Sequence, residues 1–204
     1  MTGRRGGAAF EVVRRAAQPV VPWANGGGTT RQVAIDPPDA TVQGGFRWRV
    51  SQAEVGSDGP FSRLPGVDRS LWLVCGPGMC LEVEGREVLL DRPWQRFDFA
   101  GETSIHARLC GGPCHDLNVM SARDRVRATS AVWSVATGQA VVAAEATLVL
   151  VLEGALGWQA ALTSERLGAG DAVRALTGPL PCLTAVEPAR VLVATFVSRD
   201  GGWP

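Results

Sequence analysis

The chain has 204 residues, of which 46% are hydrophobic and 20% charged, a globular composition long enough for one large β domain or two small ones. Its 20 basic and 20 acidic residues give a formal net charge of +0, so nothing in the charge favours binding to nucleic acid or to an anionic membrane. Lys and Tyr are absent, which excludes a lysine Schiff base, a pyridoxal-phosphate enzyme and a tyrosine acid.

Short apolar or β-branched runs separated by Gly, Pro and Asp predict an all-β fold, a sandwich or a barrel. One segment, 121–130, is rich in Arg and is predicted to be a linker or a short helix. Arg4, Arg5, Arg14 and Arg15 indicate solvated charges on a loose N-terminus. The predicted strands cover residues 30–35, 46–55, 71–75, 79–83, 87–90, 105–110, 117–120, 131–135, 140–144, 147–152, 156–162, 171–175, 182–186 and 191–198.

The two halves of the chain echo each other. Residues 71–90 and 148–167 each run as an apolar strand, a Gly-containing turn, a second strand and a third segment that ends in Leu. The glycines and the Gly-Asp turn at 170–171 are typical of a jelly roll. We therefore predict an N-terminal barrel at 1–120 and a degenerate second barrel at 131–204, with exchange of strands between them left open.

The Gly-rich segment at 21–30 precedes a strand-like run rather than a helix, and no Lys follows it. This order argues against a phosphate-binding loop and favours a tight turn that leads into an early strand. Asn25 and Thr29 are candidates to line a pocket beside that turn.

Strand alternation makes the segment 48–55 informative. Arg49 and Ser51 share one face, whereas Trp48 and Glu54 share the other, so at least one polar side chain faces the interior. A buried Arg needs a partner, which is either a protein carboxylate or a bound acidic ligand.

By the same alternation Asp116 and Asn118 share a face of a second strand. Beside Arg49 and Ser51 they would make a polar barrel interior. An Arg49–Asp116 ion pair and a ligand-binding pocket explain this pattern equally well, and the two are compatible.

The segment 59–69 contains two Pro and two Gly, which predicts a well-defined loop. Loops at barrel mouths commonly carry binding residues, so Ser62 and Arg69 are further candidates, while Asp68 fits turn capping better.

The remaining residues argue against metal and redox chemistry. His106 and His115 stand alone, and the five cysteines form no Cys-x-x-Cys pair. We expect no metal and no cofactor, and buried, reduced cysteines. Without an apolar signal-peptide core or a run long enough to span a bilayer, we expect a cytoplasmic protein that does not associate with membranes.

Four motifs in order resemble the HutD/Ves family: Trp-x-Asn-Gly-Gly-Gly-x-Thr at 23–30, Trp-Arg-x-Ser-x-Ala-x-Val at 48–55, Gly-Pro-Phe-Ser-x-x-Pro-Gly-x-Asp-Arg at 59–69 and Asp-x-Asn-x-Met at 116–120. The resemblance covers roughly the first 120 residues and implies a bacterial bicupin associated with histidine utilisation. It further implies binding of a pathway metabolite such as urocanate or a formyl- or formimino-glutamate. The family supplies no established active site, so the candidate residues rest on motif and alternation.

Three functional hypotheses follow. The first is a non-enzymatic protein that binds a small anionic metabolite through Arg49 or Arg69, with Trp23 or Trp48 as an apolar wall. The second is a metal-free isomerase or hydrolase with Glu54 or Asp116 as acid–base. The third is an interaction module, for instance a homodimer.

Overall fold

The computed structural model describes residues 2–5, 8–141, 145–160 and 163–200. Those residues form strands and one short 3-10 helix, Arg15–Ala17, and no helix within them is long and apolar enough to cross a membrane. The predicted strands at 140–144 and 156–162 end outside the described residues. The strands are β1 (Thr2–Arg5), β2 (Ala8–Val13), β3 (Val20–Pro22), β4 (Gly28–Asp36), β5 (Trp48–Val55), β6 (Gly59–Pro60), β7 (Val67–Cys75), β8 (Met79–Val83), β9 (Arg86–Leu90), β10 (Arg96–Ala100), β11 (Ile105–Leu109), β12 (Cys114–Ala122), β13 (Val126–Val135), β14 (Ala140–Val141), β15 (Leu148–Glu153), β16 (Ala155–Ala160), β17 (Thr163–Gly168), β18 (Ala172–Thr177), β19 (Leu183–Ala185) and β20 (Ala189–Ser198).

The chain divides into two compact units. Pro19–Arg127 forms the unit that we call the first barrel, and Met1–Gln18 together with Ala128–Pro204 forms the second barrel. The first 18 residues thus belong with the C-terminal half, whereas the sequence predicted a first barrel at 1–120 and left an exchange of strands open. The exchange follows from pairing, because β2 adds to β18 with Phe10 opposite Ala175.

Two further expectations about the chain's course were wrong. The N-terminus is not loose, since β1 pairs with β2 and β2 is hydrogen-bonded into a sheet of the second barrel. The segment 121–130 contains no helix: a short turn closed by the Arg125 amide on the Ala122 carbonyl joins β12 to β13. Arginines in this segment therefore lie on strand ends and a turn.

The predicted internal repeat is present in the strand topology. The first barrel has the sheets β10-β7-β12-β5-β4-β3 and β6-β11-β8-β9. The second barrel has β1-β2-β18-β15-β20-β13 and β14-β19-β16-β17. Strands β5–β12 and β13–β20 follow the same order, so each barrel is an eight-stranded jelly roll to which a pair of N-terminal strands is added.

The two interiors differ in chemistry. Aliphatic side chains from both sheets, joined by Phe10 and Trp158, fill the core of the second barrel. The first barrel has an aliphatic core around Leu71, Leu73 and Leu81, but in addition to Ser121 five polar side chains are buried on its strands. They are Arg49, Ser51, Arg69, Asp116 and Asn118.

The cysteines are free thiols, but most are not buried as expected. Cys75, Cys110 and Cys182 are exposed and Cys80 is half-buried. Only the Cys114 thiol among the described residues lies in the core, where it donates to the Gly78 carbonyl at 3.1 Å. The exposed ones sit at strand ends or in turns, where alternation does not direct a side chain inward.

Candidate functional site

A cavity of about 690 Å³ lies within the first barrel. The five buried polar side chains line it, together with residues from the turn at 23–25, the β4–β5 loop and the β6–β7 loop. Its full lining comprises Val21, Trp23, Ala24, Asn25, Thr30, Gln32, Ala40, Thr41, Val42, Gln43, Arg49, Ser51, Ala53, Pro60, Phe61, Ser62, Leu64, Arg69, Asp116, Asn118 and Met120.

Strand register brings the polar residues together. β12 pairs with β5 so that Asn118 lies opposite Ser51 and Met120 opposite Arg49, as the alternation predicts. On its other side β12 pairs with β7, which places Arg69 opposite Met120. Because opposite residues of an antiparallel pair point to the same face, three adjacent strands direct these side chains into one interior.

Arg69 is the most firmly held of these side chains, and it is only 8% exposed. Its Nη2 donates to Asn118 Oδ1 at 2.9 Å and its Nη1 to the Ser62 carbonyl at 3.2 Å. The guanidinium carbon lies 4.7 Å from the centre of the Phe99 ring and 5.5 Å from that of Phe61, which adds cation–π attraction. Among the described residues Arg69 Nε has no hydrogen-bond partner, and this atom is buried. The other contacts hold the guanidinium in one orientation.

Arg49 has fewer contacts. Within the described residues its guanidinium makes one hydrogen bond, from Nε to Gln32 Oε1 at 3.1 Å. Burial lowers the pKa of Arg49 from its usual value. Burial likewise lowers the pKa of Arg69 to about 10, with Arg49 adding to the decrease and Asp116 opposing it. A guanidinium group remains cationic at neutral pH even when it is buried. Burial of the two charges has an electrostatic cost that a nearby anion would reduce.

Asp116 is the single carboxylate among the described residues that line the cavity. It is 2% exposed, and Asn118 Nδ2 donates to its Oδ1 at 2.7 Å. Burial raises the pKa of Asp116 to about 7, although Arg69 and the Asn118 hydrogen bond act in the opposite direction. Near neutral pH this carboxyl is divided between its acid and its ionised form.

The Arg49–Asp116 ion pair offered by the sequence does not form. Among the described residues, the ion pairs all involve other arginines, and neither Arg49 nor Arg69 pairs with Asp116. Arg69 reaches Asp116 only through Asn118, which bonds to both. The cavity thus carries two buried cations against one partly ionised carboxyl, which is a net positive interior.

Of the ten candidate residues from the sequence, the structure brings seven to the cavity. Arg49, Ser51, Asp116 and Asn118 lie at its buried end, with Arg69 beside them, while Asn25 and Ser62 are exposed at its rim. Asn25 also accepts from the Gly27 amide at 3.0 Å, which confirms the tight turn in the Gly-rich segment. Arg69 itself lies on β7 rather than in a mouth loop, and Asp68 pairs with Arg123 instead of capping a turn.

Three candidates lie elsewhere. Thr29 and Glu54 are opposite each other across β4 and β5, on the face turned away from the cavity. Trp48 is buried on that same outer face of β5 and does not line the cavity. The wall that the sequence assigned to Trp23 or Trp48 is provided by Trp23, whose indole Nε1 donates to Thr30 Oγ1 at 2.7 Å.

The sequence interpretation missed Thr30 and Gln32. Both line the cavity from β4, where Thr30 lies opposite Ala53 and Gln32 opposite Ser51. If Ser51 is assumed to point into the barrel, alternation along the neighbouring strand β4 predicts that Thr30 and Gln32 point inward as well. The residues at 40–43, which also contribute, carry no comparable signal because they belong to a loop.

The HutD family model matches residues 15–192. The chain belongs to the HutD family. The names of its members, HutD itself and a protein from a hutC region, associate the family with histidine utilisation.

Several HutD and Ves proteins match part of the chain. An uncharacterized 21.2 kDa protein in the hutC 3' region of Pseudomonas putida is 34% identical over 119 residues, 58% of this chain and 62% of that protein. Protein Ves of Citrobacter koseri is 40% identical over 111 residues, 54% of this chain and 56% of its own. The matches therefore span less than two thirds of these two relatives. Protein Ves of Cronobacter sakazakii is 38% identical over 144 residues, 69% of this chain and 74% of its own.

Three solved structures match most of the chain. A conserved protein of unknown function from Pseudomonas aeruginosa PAO1 has a TM-score of 0.79 and 31% identity over 92% of this chain and 98% of its own. HutD from Pseudomonas fluorescens SBW25 has a TM-score of 0.70 and 29% identity with the same coverage. A cupin 2 barrel protein from Leptotrichia buccalis, with a TM-score of 0.56 and 10% identity over 87% and 88%, is similar in fold alone. The predicted all-β cupin fold is confirmed.

Proposed function

We propose that this HutD-family protein binds a small anionic metabolite of histidine utilisation in the cavity of the first barrel. The observation that carries the proposal is the pair of buried guanidinium groups, neither of which forms an ion pair with a carboxylate among the described residues. Buried charges in proteins are normally paired, because an isolated charge in a low-dielectric interior is costly. A ligand carboxylate supplies the missing charge.

The arrangement of Arg69 favours recognition of a carboxylate in particular. A guanidinium offers several donors in one plane, which match the two oxygens of a carboxylate, and Arg69 is held in place before any ligand arrives. Such preorganisation reduces the entropy lost on binding. Ser51, Asn118 and Gln32 lie beside the guanidinium groups and can orient the neutral part of the ligand by hydrogen bonds.

The cavity volume limits the ligand to a small molecule. About 690 Å³ lies within the range typical of metabolite sites, and Trp23 with Phe61 provides apolar surface for a ring or an alkyl chain. Urocanate, N-formylglutamate and formiminoglutamate meet these requirements, since each carries a carboxylate and a further polar group. Binding of such an intermediate would let the protein moderate the pathway without catalysis.

Calorimetric titration with these three compounds tests the proposal. We expect a saturable heat for at least one compound, and a loss of about tenfold or more in affinity for Arg49→Gln, since one charged hydrogen-bonding partner is removed. Arg108→Gln is the matched control, because Arg108 lies on β11, is exposed and pairs with Glu87 outside the cavity. Folded protein that gives no heat with any of the three would rule out these ligands.

One observation favours a second function, acid–base catalysis by Asp116. A buried carboxyl with a pKa of about 7 in a ligand-sized cavity meets the requirement for a general acid or base, whereas Glu54 is exposed on the outer face and does not. Proton NMR of each compound after prolonged incubation with the protein separates the two functions. Conversion that is lost in Asp116→Asn would establish an enzyme, and unchanged compound with measurable binding would establish a binding protein.

A further inference from the structure

We propose that the first barrel takes up its carboxylate ligand together with one proton, which is held by Asp116, so that the acid form of Asp116 donates a hydrogen bond to the bound anion. This inference rests on the proposed function, because it concerns how the same cavity accommodates an anion. The residue concerned is Asp116, whose carboxylate would repel a bound anion if it remained ionised.

The geometry sets the problem. Asp116 lines the same cavity as Arg49 and Arg69 and is 2% exposed, so water cannot screen it from a ligand placed between them. An anion bound to the guanidinium groups would then lie near an ionised carboxylate inside a volume of about 690 Å³. Two carboxyl groups that share a dry site cannot both remain ionised at low cost, and one of them retains a proton.

Within the part of the chain that the structure describes, no cation faces Asp116 other than the two arginines that the ligand would engage. Its direct hydrogen bond comes from the neutral amide of Asn118, which also occupies Arg69. The residues opposite it in the ladders are Ala53 on β5 and Leu73 on β7. The charged or titratable groups that face it are Arg69 on β7, Arg49 on β5 and the Cys114 thiol on its own strand. Both arginines are the groups that the ligand would engage.

The free protein is already close to the required state. Burial raises the pKa of Asp116 to about 7, so at neutral pH the carboxyl needs only a small further increase in pKa to be fully protonated. A neighbouring ligand carboxylate supplies that increase. In its acid form the carboxyl becomes a donor, and the hydrogen bond between a carboxylic acid and a carboxylate is short and strong.

The competing arrangement is a ligand that presents an N–H group to an ionised Asp116. It predicts that binding involves no proton uptake and that Asp116→Asn weakens binding at every pH. Uptake of a proton and the pH profile of affinity therefore distinguish the two arrangements.

Calorimetry with N-formylglutamate and with formate provides the test, since neither compound has a group that titrates near neutral pH, unlike the imidazole of urocanate. Each titration is repeated in two buffers with different ionisation enthalpies, which measures the protons taken up. We expect uptake to approach one proton per ligand at about pH 8 and the affinity to fall by about tenfold per pH unit above that, as linkage requires.

Two variants complete the design. Asp116→Asn keeps the shape of the side chain and should bind without proton uptake and with an affinity that no longer depends on pH. Ser51→Ala, which alters the same cavity without a titratable group, should keep both the uptake and the pH profile. Wild-type uptake stands as a measurement even if Asp116→Asn does not fold.

The outcomes separate this inference from the function on which it rests. Binding of either probe without proton uptake overturns the inference and leaves anion binding intact. Absence of binding for both probes at about pH 6, where Asp116 is protonated and the ligand carboxylates are still ionised, overturns the inference. The proposed function is overturned as well only if urocanate and formiminoglutamate also give no heat.

Discussion

The two barrels share one topology and differ in what fills their interiors. In the first barrel Asp116 and Asn118 lie opposite two core leucines of β7, and in the second barrel Val191 and Val193 lie opposite two core valines of β15. The equivalent pairs are Leu73 with Asp116, Leu71 with Asn118, Val151 with Val191 and Val149 with Val193.

This difference shows that the jelly roll itself does not require polar residues on its equivalent central strand. The second barrel closes the same strand order around valines that are no more than 7% exposed. In the first barrel the same positions hold a carboxyl and an amide, and a cavity remains between them and the arginines. Polar residues that the fold does not need, and that leave space, are better explained by a ligand than by stability.

The largest effect on stability is expected when a carboxylate like that of Asp116 is introduced at the equivalent position of the second barrel. Val191→Asp would place a carboxylate among aliphatic side chains without the Asn118 and Arg69 equivalents. At about pH 8 it should reduce the free energy of unfolding by roughly 3 to 5 kcal/mol, the cost of an uncompensated buried charge. Urea unfolding followed by circular dichroism measures the loss.

Val191→Asn is the control for this substitution, since it brings a polar group of the same shape without the charge. The difference between the Asp and Asn variants should grow as pH rises, because only the Asp side chain ionises. Equal stability of the two variants across this range would contradict the comparison between the barrels.

The second effect concerns ligand affinity. Arg69→Met keeps the length of the side chain and its packing against Phe99, but removes the guanidinium that Asn118 and the Ser62 carbonyl hold. Truncating one partner of a buried charge pair typically costs about 2 to 5 kcal/mol, so we expect a loss of affinity of about 30-fold or more. Calorimetry with the compound that binds wild-type protein measures it, and a change below about threefold would exclude Arg69 from the site.

Much of the first barrel's site could be predicted from the sequence because alternation is a strong constraint. If residues 48–55 form a strand, Arg49 and Ser51 must share a face. The matching polar pattern at 116–120 then indicates that this second strand contributes to the same interior. Alternation does not show which face of the strand points to the interior. For this reason the sequence predicts Trp48 and Glu54 as candidates as well as Arg49. The sequence predicts Thr29 as a cavity residue, whereas Thr30 lines the cavity. A shift of one residue along a strand moves a side chain from one face to the other.

Strand alternation gives no information about long-range strand pairing, loop paths or distances between side chains. These features of the fold and the site could not be predicted from the sequence. The pairing of β2 with β18 joins residues far apart in sequence, and no local pattern at 8–13 specifies that partner. The loop residues at 40–43 line the cavity because of the path between β4 and β5, which their sequence does not determine. The choice between an ion pair and an open pocket depended on side-chain distances between strands.

The third prediction is a pH dependence of stability. The pKa of Asp116 is raised to about 7 from an ordinary value of 3.8, so the folded protein binds a proton more tightly than the unfolded chain does. The stability linked to that proton is complete at low pH and is lost as pH rises toward and through about 7. Wild-type protein should lose roughly 2 kcal/mol between about pH 5 and pH 7 relative to Asp116→Asn, as measured by urea unfolding at a series of pH values. Parallel curves for the two proteins would show that Asp116 titrates normally.

The smallest effect tests the two faces of one strand. Ser51 and Glu54 both lie on β5, but Ser51 is 2% exposed and lines the cavity, whereas Glu54 is exposed on the other face. Ser51→Ala should weaken ligand binding by about fivefold, the worth of one neutral hydrogen bond, and Glu54→Ala should leave it unchanged. If Glu54→Ala has the larger effect, the face assignment of β5 is wrong, and with it the placement of Arg49 in the cavity.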